Sequence, residues 1–282
     1  MIKISGFADE IDDNFENQLK GLKENDIEYI EVRGVNGKNI SVLNQAEMND
    51  AKKLLDLYNI KVSAIGSPIG KIKITDDFDE HLKVFDNVMA SALTFGTKYI
   101  RMFSFFIHDN QYKQYRGEVM RRLEILLECA NKNNLVLCHE NEREIYGESP
   151  ELCLDIMQYF NGGIKFVFDP ANFIVGGFTP YPDAYDLLAG YIEYMHIKDA
   201  DETGIVPAGF GKGRIKEILS DLIINKNFDG FLSIEPHLSV FTGLAELEGG
   251  ENKLVRNKFR SKSEAFKAAA DALKGILREI EK

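Results

Sequence analysis

The chain is predicted to be an α/β protein, a single closed (βα)8 TIM barrel spanning residues 1–282. Three observations carry the prediction. Eight short apolar runs rich in β-branched and aromatic residues alternate with helical patterns, the order that builds βα units and a parallel sheet. The 282 residues contain no Pro/Gly/Ser-rich linker and match one barrel of about 250 residues. Four of the runs, LVLCHENE, FVFDPAN, YMHIKDA and FLSIEPH, place Glu140, Asp169, His196 and Glu235 at or near their C-terminal ends. A buried strand ending in a carboxylate is costly unless the charge is used or neutralised.

The strands are expected near 2–7, 27–33, 61–66, 98–103, 135–140, 164–169, 191–197 and 230–235. Helices are expected near 12–25, 44–59, 77–96, 112–133, 150–160, 182–189, 212–226 and 262–281. The last has the clearest pattern: Phe266, Ala269, Leu273, Ile276, Leu277 and Ile280 recur at helical spacing on one face. An open doubly wound sheet is the alternative, but no GxGxxG follows the first strand. The connections Ser67–Asp77, Ser104–Gly117 and His237–Ser261 are long for simple turns. They are expected at the C-terminal face of the barrel, walling a pocket. Subunit contact is the alternative for 237–261, which leaves room for a homodimer.

A net charge of −11 argues against a binder of nucleic-acid backbones, which presents a basic face. Cys129, Cys138 and Cys153 form no CxxC pair and suggest no disulfide framework. MIKISGFADE lacks an apolar signal core, and no apolar run approaches the roughly 20 residues of a membrane span. A cytoplasmic protein without membrane contact is the expectation.

Side chains alternate along a strand, so Cys138 shares a face with Glu140, Val167 with Asp169, Tyr194 with His196 and Ser233 with Glu235. Leu137, His139, Leu232 and Ile234 fall on the other face, toward the helices. Three buried carboxylates a few ångströms apart repel and cannot all ionise unaided. A divalent cation removes most of that cost. A lone acidic residue at a strand end is more often a helix cap or a solvated group; four ligands from successive strands favour a metal. Carboxylates with one imidazole and no thiolate suit one divalent ion, Mn²⁺, Mg²⁺, Co²⁺ or Zn²⁺.

The ordered set HENE, FDPAN, HIKDA and IEPH, with ADEI, EVRG and the PAGFGKG loop, resembles the sugar phosphate isomerase/epimerase superfamily. That superfamily has a xylose isomerase-like TIM barrel (the AP endonuclease 2 family). The resemblance covers essentially the whole chain and implies Glu140, Asp169, His196 and Glu235 as metal ligands. It implies a small sugar, sugar phosphate or polyol-derived ketone substrate whose carbonyl and hydroxyl oxygens reach the ion, which stabilises an enediolate as the neighbouring carbon loses its proton. Glu140 and Glu235 are then the pair that removes and returns the proton. Asn172, Lys198, His237, Arg33 and Glu31 are the candidate substrate-binding residues; Arg101 is a weaker one.

Asn172 departs from the histidine that many relatives carry three residues after the aspartate, and it cannot shuttle a proton. GFGKG is not a Walker A motif, because Arg214 and Ile215 follow it; turn chemistry is the expectation there. A dehydratase of the inosose or dehydroshikimate type would use the same four ligands and is the rival activity. An endonuclease IV-like nuclease is remote, since Asn172 and Ile205–Pro207 stand where its extra histidines belong. A sugar-binding barrel without catalysis is disfavoured by the intact ligand set.

Overall fold

Eight parallel strands pair edge to edge in a computed structural model that describes residues 2–108, 111–239 and 259–281. They are β1 (Lys3–Gly6), β2 (Tyr29–Val32), β3 (Lys61–Gly66), β4 (Tyr99–Met102), β5 (Val136–Glu140), β6 (Lys165–Phe168), β7 (Ile192–Ile197) and β8 (Phe231–Ile234). Pairing runs from β2 through β8 in sequence and then to β1, which excludes a doubly wound order. The barrel is nearly closed: among the described residues β1 and β2 meet without a ladder of their own. Hydroxyls span the gap, with Ser5 Oγ 2.6 Å from Ser63 Oγ and Ser63 donating to the Ile30 carbonyl at 3.0 Å.

Each strand leads to at least one helix. These are α1 (Phe15–Glu24), α2 (Gln45–Tyr58), α3 (Phe78–Phe95), α4 (Tyr112–Lys132), α5 (Pro150–Phe160), α6 (Pro170–Val175), α7 (Tyr185–Leu188), α8 (Ile215–Ser220) and α9 (Lys262–Ile280). Local chemistry sets their ends. Asn14, Asn44, Asp77, Ser149 and Ser261 accept amide protons at N-caps, and Asn59, Gly96 and Asn161 close helices in the left-handed region. The helices expected over 182–189 and 212–226 are shorter than predicted, each joined to a wider five-residue turn, 180–184 or 221–225. Pro180 and Pro182 cannot donate backbone protons, and Tyr181 is extended, so regular helix starts only at Tyr185.

Apolar packing is divided. A large core lies between the strands and the helices, while Ala64, Cys138, Val167 and Tyr194 form a separate cluster inside the barrel. Leu137, Phe166, Phe168, Met195, Leu232 and Ile234 point to the helices, as the alternation predicts. The connections after β3, β4 and β5 are zipped together at the C-terminal end. Phe103 and Phe105 amides donate to Ile69 and Gly70 carbonyls at 2.7 and 2.9 Å, and Ile107 donates to Glu144 at 2.8 Å. Lys71, Phe103, Glu142 and Arg143 from these connections wall one side of the cavity, as expected for Ser67–Asp77, whereas no described residue of Ser104–Gly117 lines it. Residues 109–110 of the Ser104–Gly117 connection and 240–258 of the His237–Ser261 connection lie outside the described residues.

Candidate metal centre

Strand ends deliver the four candidate ligands. Glu140 closes β5, Asp169 follows β6, His196 lies one residue from the end of β7, and Glu235 follows β8. All four are buried, and one donor atom from each lies within 4.8 Å of the others. Donors held at about 2.0–2.4 Å from one ion are spaced this way. Two further observations fit a divalent ion. Asp169 Oδ2 is buried with no hydrogen bond, although the Lys198 ammonium is 3.0 Å away. His196 turns Nδ1 toward Glu140 Oε1 (3.0 Å) and Glu235 Oε2 (3.5 Å), while Nε2 lies 3.3 Å from both Glu31 oxygens. A carboxylate on the far ring nitrogen fixes the tautomer that offers the near nitrogen to a metal. Phe7 packs edge-on to the imidazole at 5.1 Å and adds to its orientation.

The charges are interlocked. Burial opposes ionisation of His196, but Glu140 and Glu31 on either side raise it well above the ordinary histidine range. Burial raises Glu140 too, yet His196 and Arg101 outweigh it and hold the carboxyl at about 2. Glu235 is likewise held well below the usual range, against burial, by Lys198 and His237. Asp169 goes the other way: burial lifts it to about 7, Lys198 pulls it down, and Glu140 and Glu235 repel its charge. This set is neutralised most simply by a cation at its centre.

Asp169 combines two roles that the sequence presents as alternatives. Its Oδ1 caps α6 by accepting the Asn172 amide at 3.0 Å, with Pro170 at the first helical position, while Oδ2 faces the ligand cluster. Asn172 then sends Nδ2 to Glu140 Oε1 at 3.1 Å and to the Asn141 carbonyl at 2.9 Å.

Lys198 is buried and bridges Asp169 and Glu235 at 3.0 Å each, so it does not pair with its neighbour Asp199. Arg33 crosses the barrel mouth, donating to Glu235 Oε1 at 2.9 Å, to Glu10 at 3.1 Å and to Asp9 at 2.8 and 3.0 Å. Arg101 holds the other glutamate, with Nε 3.2 Å from Glu140 Oε2 and a bond to the Ser67 carbonyl at 2.9 Å. Gly66 makes room for it: a Cβ there would stand 2.5 Å from Phe7 and 3.3 Å from the guanidinium. His237 has a positive φ of 46° and donates its amide to Glu10 at 2.7 Å; its Nε2 is 3.3 Å from Glu235 Oε1.

An open cleft leads to this cluster. Of the residues expected to touch substrate, Asn172, Lys198 and His237 line it, as does the weaker candidate Arg101. Glu31 and Arg33 stand behind the ligands instead, Glu31 on His196 and Tyr194, Arg33 on Glu235. Lys71, Phe103, Glu142 and Arg143 also line the cavity and were not singled out from the sequence. The even step from Glu140 to Glu142 was the available signal for one of them; the others sit on connections where no periodicity applies.

The glycine loop is turn chemistry of a particular kind. Gly209, Gly211 and Gly213 amides donate to the Asp199 carboxylate at 2.8–3.0 Å, so an internal anion fills the nest. A Cβ at Gly211 would come within 2.4 Å of both the Ala200 carbonyl and that carboxylate, which explains the glycine.

The barrel has counterparts among known proteins. No curated protein matches the chain by sequence. Among solved structures, the IOLI protein with a bound zinc atom superposes with a TM-score of 0.75 at 16% identity, covering 99% of each chain. D-allulose 3-epimerase from Methylomonas sp. gives 0.75 at 12% identity, over 98% of each chain. The probable 3-DHS dehydratase AsbF from Bacillus anthracis gives 0.70 at 18%, over 96% of this chain and 98% of that one. At these identities the likeness is one of fold. The pattern described as xylose isomerase-like TIM barrel matches residues 19–278, and the chain belongs to that family.

Proposed function

We propose that the chain is a divalent-metal-dependent enzyme that moves a proton at a carbon next to the carbonyl of a small polyhydroxy ketone, isomerising or epimerising it. The observation that carries this is the paired arrangement of Glu140 and Glu235. Each has one oxygen within 3.5 Å of His196 Nδ1, and its other oxygen faces an arginine, Arg101 or Arg33. Glu140, Asp169, His196 and Glu235 would hold the ion, which when bound polarises the substrate's carbonyl and adjacent hydroxyl. The two carboxylates are kept ionised, the state a base requires, and both border the cavity. One withdraws the proton, leaving an enediolate; the other returns it from the opposite side, inverting the carbon. Asn172 steadies Glu140 through its amide and takes no part in proton movement.

A dehydratase is the second reading, and Lys198 favours it. This ammonium lines the cavity between Asp169 and Glu235 and could protonate a departing hydroxyl, a step that an epimerase does not need. Elemental analysis of the purified chain, followed by ketoses and polyol-derived ketones in deuterated water, tests both. Deuterium entering at one carbon without new ultraviolet absorbance supports the isomerase, and a rising enone absorbance supports the lyase. A chain that retains no divalent metal and exchanges no deuterium sinks the proposal.

A further inference from the structure

Neighbouring strands hold each other rung by rung, and the β5–β6 ladder stops short of the metal centre. Its last partners are Glu140 and Val167, two residues before Asp169. Asp169 is fully buried, so its backbone amide and carbonyl need partners within the protein. The side chain of Asn141 meets both. Its Oδ1 accepts from the Asp169 amide at 3.0 Å, and its Nδ2 donates to the Asp169 carbonyl at 2.9 Å. A side-chain amide carries the same donor and acceptor as a peptide group, and here it stands in for the missing rung. Asn141 is itself fully buried.

Asn172 closes the arrangement into a ring. Its Nδ2 donates to the Asn141 carbonyl at 2.9 Å, and its amide donates to Asp169 Oδ1 at 3.0 Å. Asp169 is thereby fixed at three points: its amide, its carbonyl and Oδ1. Only Oδ2, buried without a hydrogen bond, remains to meet an ion. The Asn172 bond alone would cap α6 and orient the carboxylate. Docking that carboxylate against the strand that carries Glu140 is what Asn141 adds.

We infer that Asn141 is a positioning residue of the metal centre: it sets the spacing between Glu140 and Asp169 across two strands and holds Asp169 to one ligating oxygen. The inference rests on reading Glu140, Asp169, His196 and Glu235 as ligands of a single divalent ion. Asn141 acts through the Asp169 backbone and touches neither the ion nor the substrate.

Two variants of the full chain test it. Asn141→Ala removes both bonds to Asp169, and Ser63→Ala removes buried bonds elsewhere in the barrel, to Ser5 and the Ile30 carbonyl. Manganese affinity is read by competition with a chelator, and the visible spectrum of the cobalt-loaded chain reads the ligand field. Asn141→Ala should bind manganese about 10-fold or more weakly, the usual cost of losing a residue that orients a ligand, and should shift the cobalt bands. Ser63→Ala should keep the parent's affinity and bands even where it melts at a lower temperature. If Asn141→Ala does not fold, Asn141→Ser, whose short hydroxyl cannot span both Asp169 groups, takes its place with the same expectation. Parent-like affinity and bands in the Asn141 variant, or equal changes in Ser63→Ala, overturn the inference and leave the four-ligand reading intact. A parent chain that takes up neither manganese nor cobalt overturns both. Neither readout requires turnover, so a wrong assignment of the reaction cannot imitate either result.

Discussion

The two ends of the barrel interior are built from the same strands and behave as different materials. Cys138, Val167 and Tyr194 lie one pleat below Glu140, Asp169 and His196, a step of about 6.6 Å along each strand. The lower set packs with Ala64 against Tyr99, Val136 and Phe231 and forms an apolar plug. The upper set cannot be satisfied by packing, because three carboxylates and an imidazole share one small volume. Arg33, Arg101 and Lys198 counter part of that charge from outside the set. Strand geometry thus fixes where side chains converge, while residue choice at one level decides between stability and chemistry. Tyr194 is the seam between the levels, donating its hydroxyl to Glu31 at 2.9 Å.

The largest way to break this contrast is at the upper level. Glu140→Gln and Glu235→Gln keep side-chain size and should leave the fold intact, while each lowers the rate of proton exchange by about 10²–10⁴-fold. Deuterium incorporation followed by NMR measures this directly. An exchange rate within a few-fold of the parent in Glu235→Gln would remove that residue from the proton-transfer pair.

Metal affinity sharpens the comparison next. Glu31→Gln weakens the support behind His196 and should reduce manganese affinity roughly 10–100-fold, the usual cost of losing such a partner. Cys138→Ala, at the lower level, should leave affinity unchanged and cost about 1–2 kcal/mol of stability through the small cavity it opens. Equal effects on affinity would mean that the two levels are not separable. Affinity should also fall with pH. His196 is raised well above its ordinary range despite burial, by Glu140 and Glu31, and Asp169 is lifted to about 7 by burial. Both must lose protons to ligate, so acid favours the metal-free state, and affinity should weaken from pH 8 to pH 6 by up to about tenfold per unit for each proton displaced. Titrations in buffers of different ionisation enthalpy would register the released protons, and a flat profile would show that neither group is protonated beforehand.

Much of this arrangement was legible in the sequence, because barrel strands repeat one rule. Every expected strand is present with ends within two residues of prediction, since an apolar run bounded by turn residues leaves little freedom. The convergence of Glu140, Asp169, His196 and Glu235 follows from the same alternation. The roles of neighbours did not follow. Glu31 and His196 lie 165 residues apart, and their contact depends on how β2 faces β7 across the barrel. Lys198 and Asp199 illustrate the limit more sharply. Side by side in HIKDA, one enters the cavity and the other fills the glycine nest, and the short ribbon of Asp199–Asp201 with Gly204–Val206 that starts at the second of them carries no periodic pattern. Helix α6 was missed because Asp169 was read as a ligand, although Asp-Pro-x-Asn also starts a helix.

The smallest effect is expected at the seam, and it is the most discriminating. Tyr194→Phe keeps the ring that packs on Ala64, Cys138 and Val167 and removes only the hydroxyl that meets Glu31. Losing a hydrogen bond to a charged acceptor should cost about 1.5–3 kcal/mol of stability. Manganese affinity should fall only about threefold, because Glu31 keeps both oxygens within 3.3 Å of His196 Nε2. Calorimetry on Tyr194→Phe beside Glu31→Gln reads the two together. If the hydroxyl deletion weakened metal binding as much as the glutamate change, Glu31 would be held chiefly from below, and the plug would belong to the metal centre rather than merely supporting it.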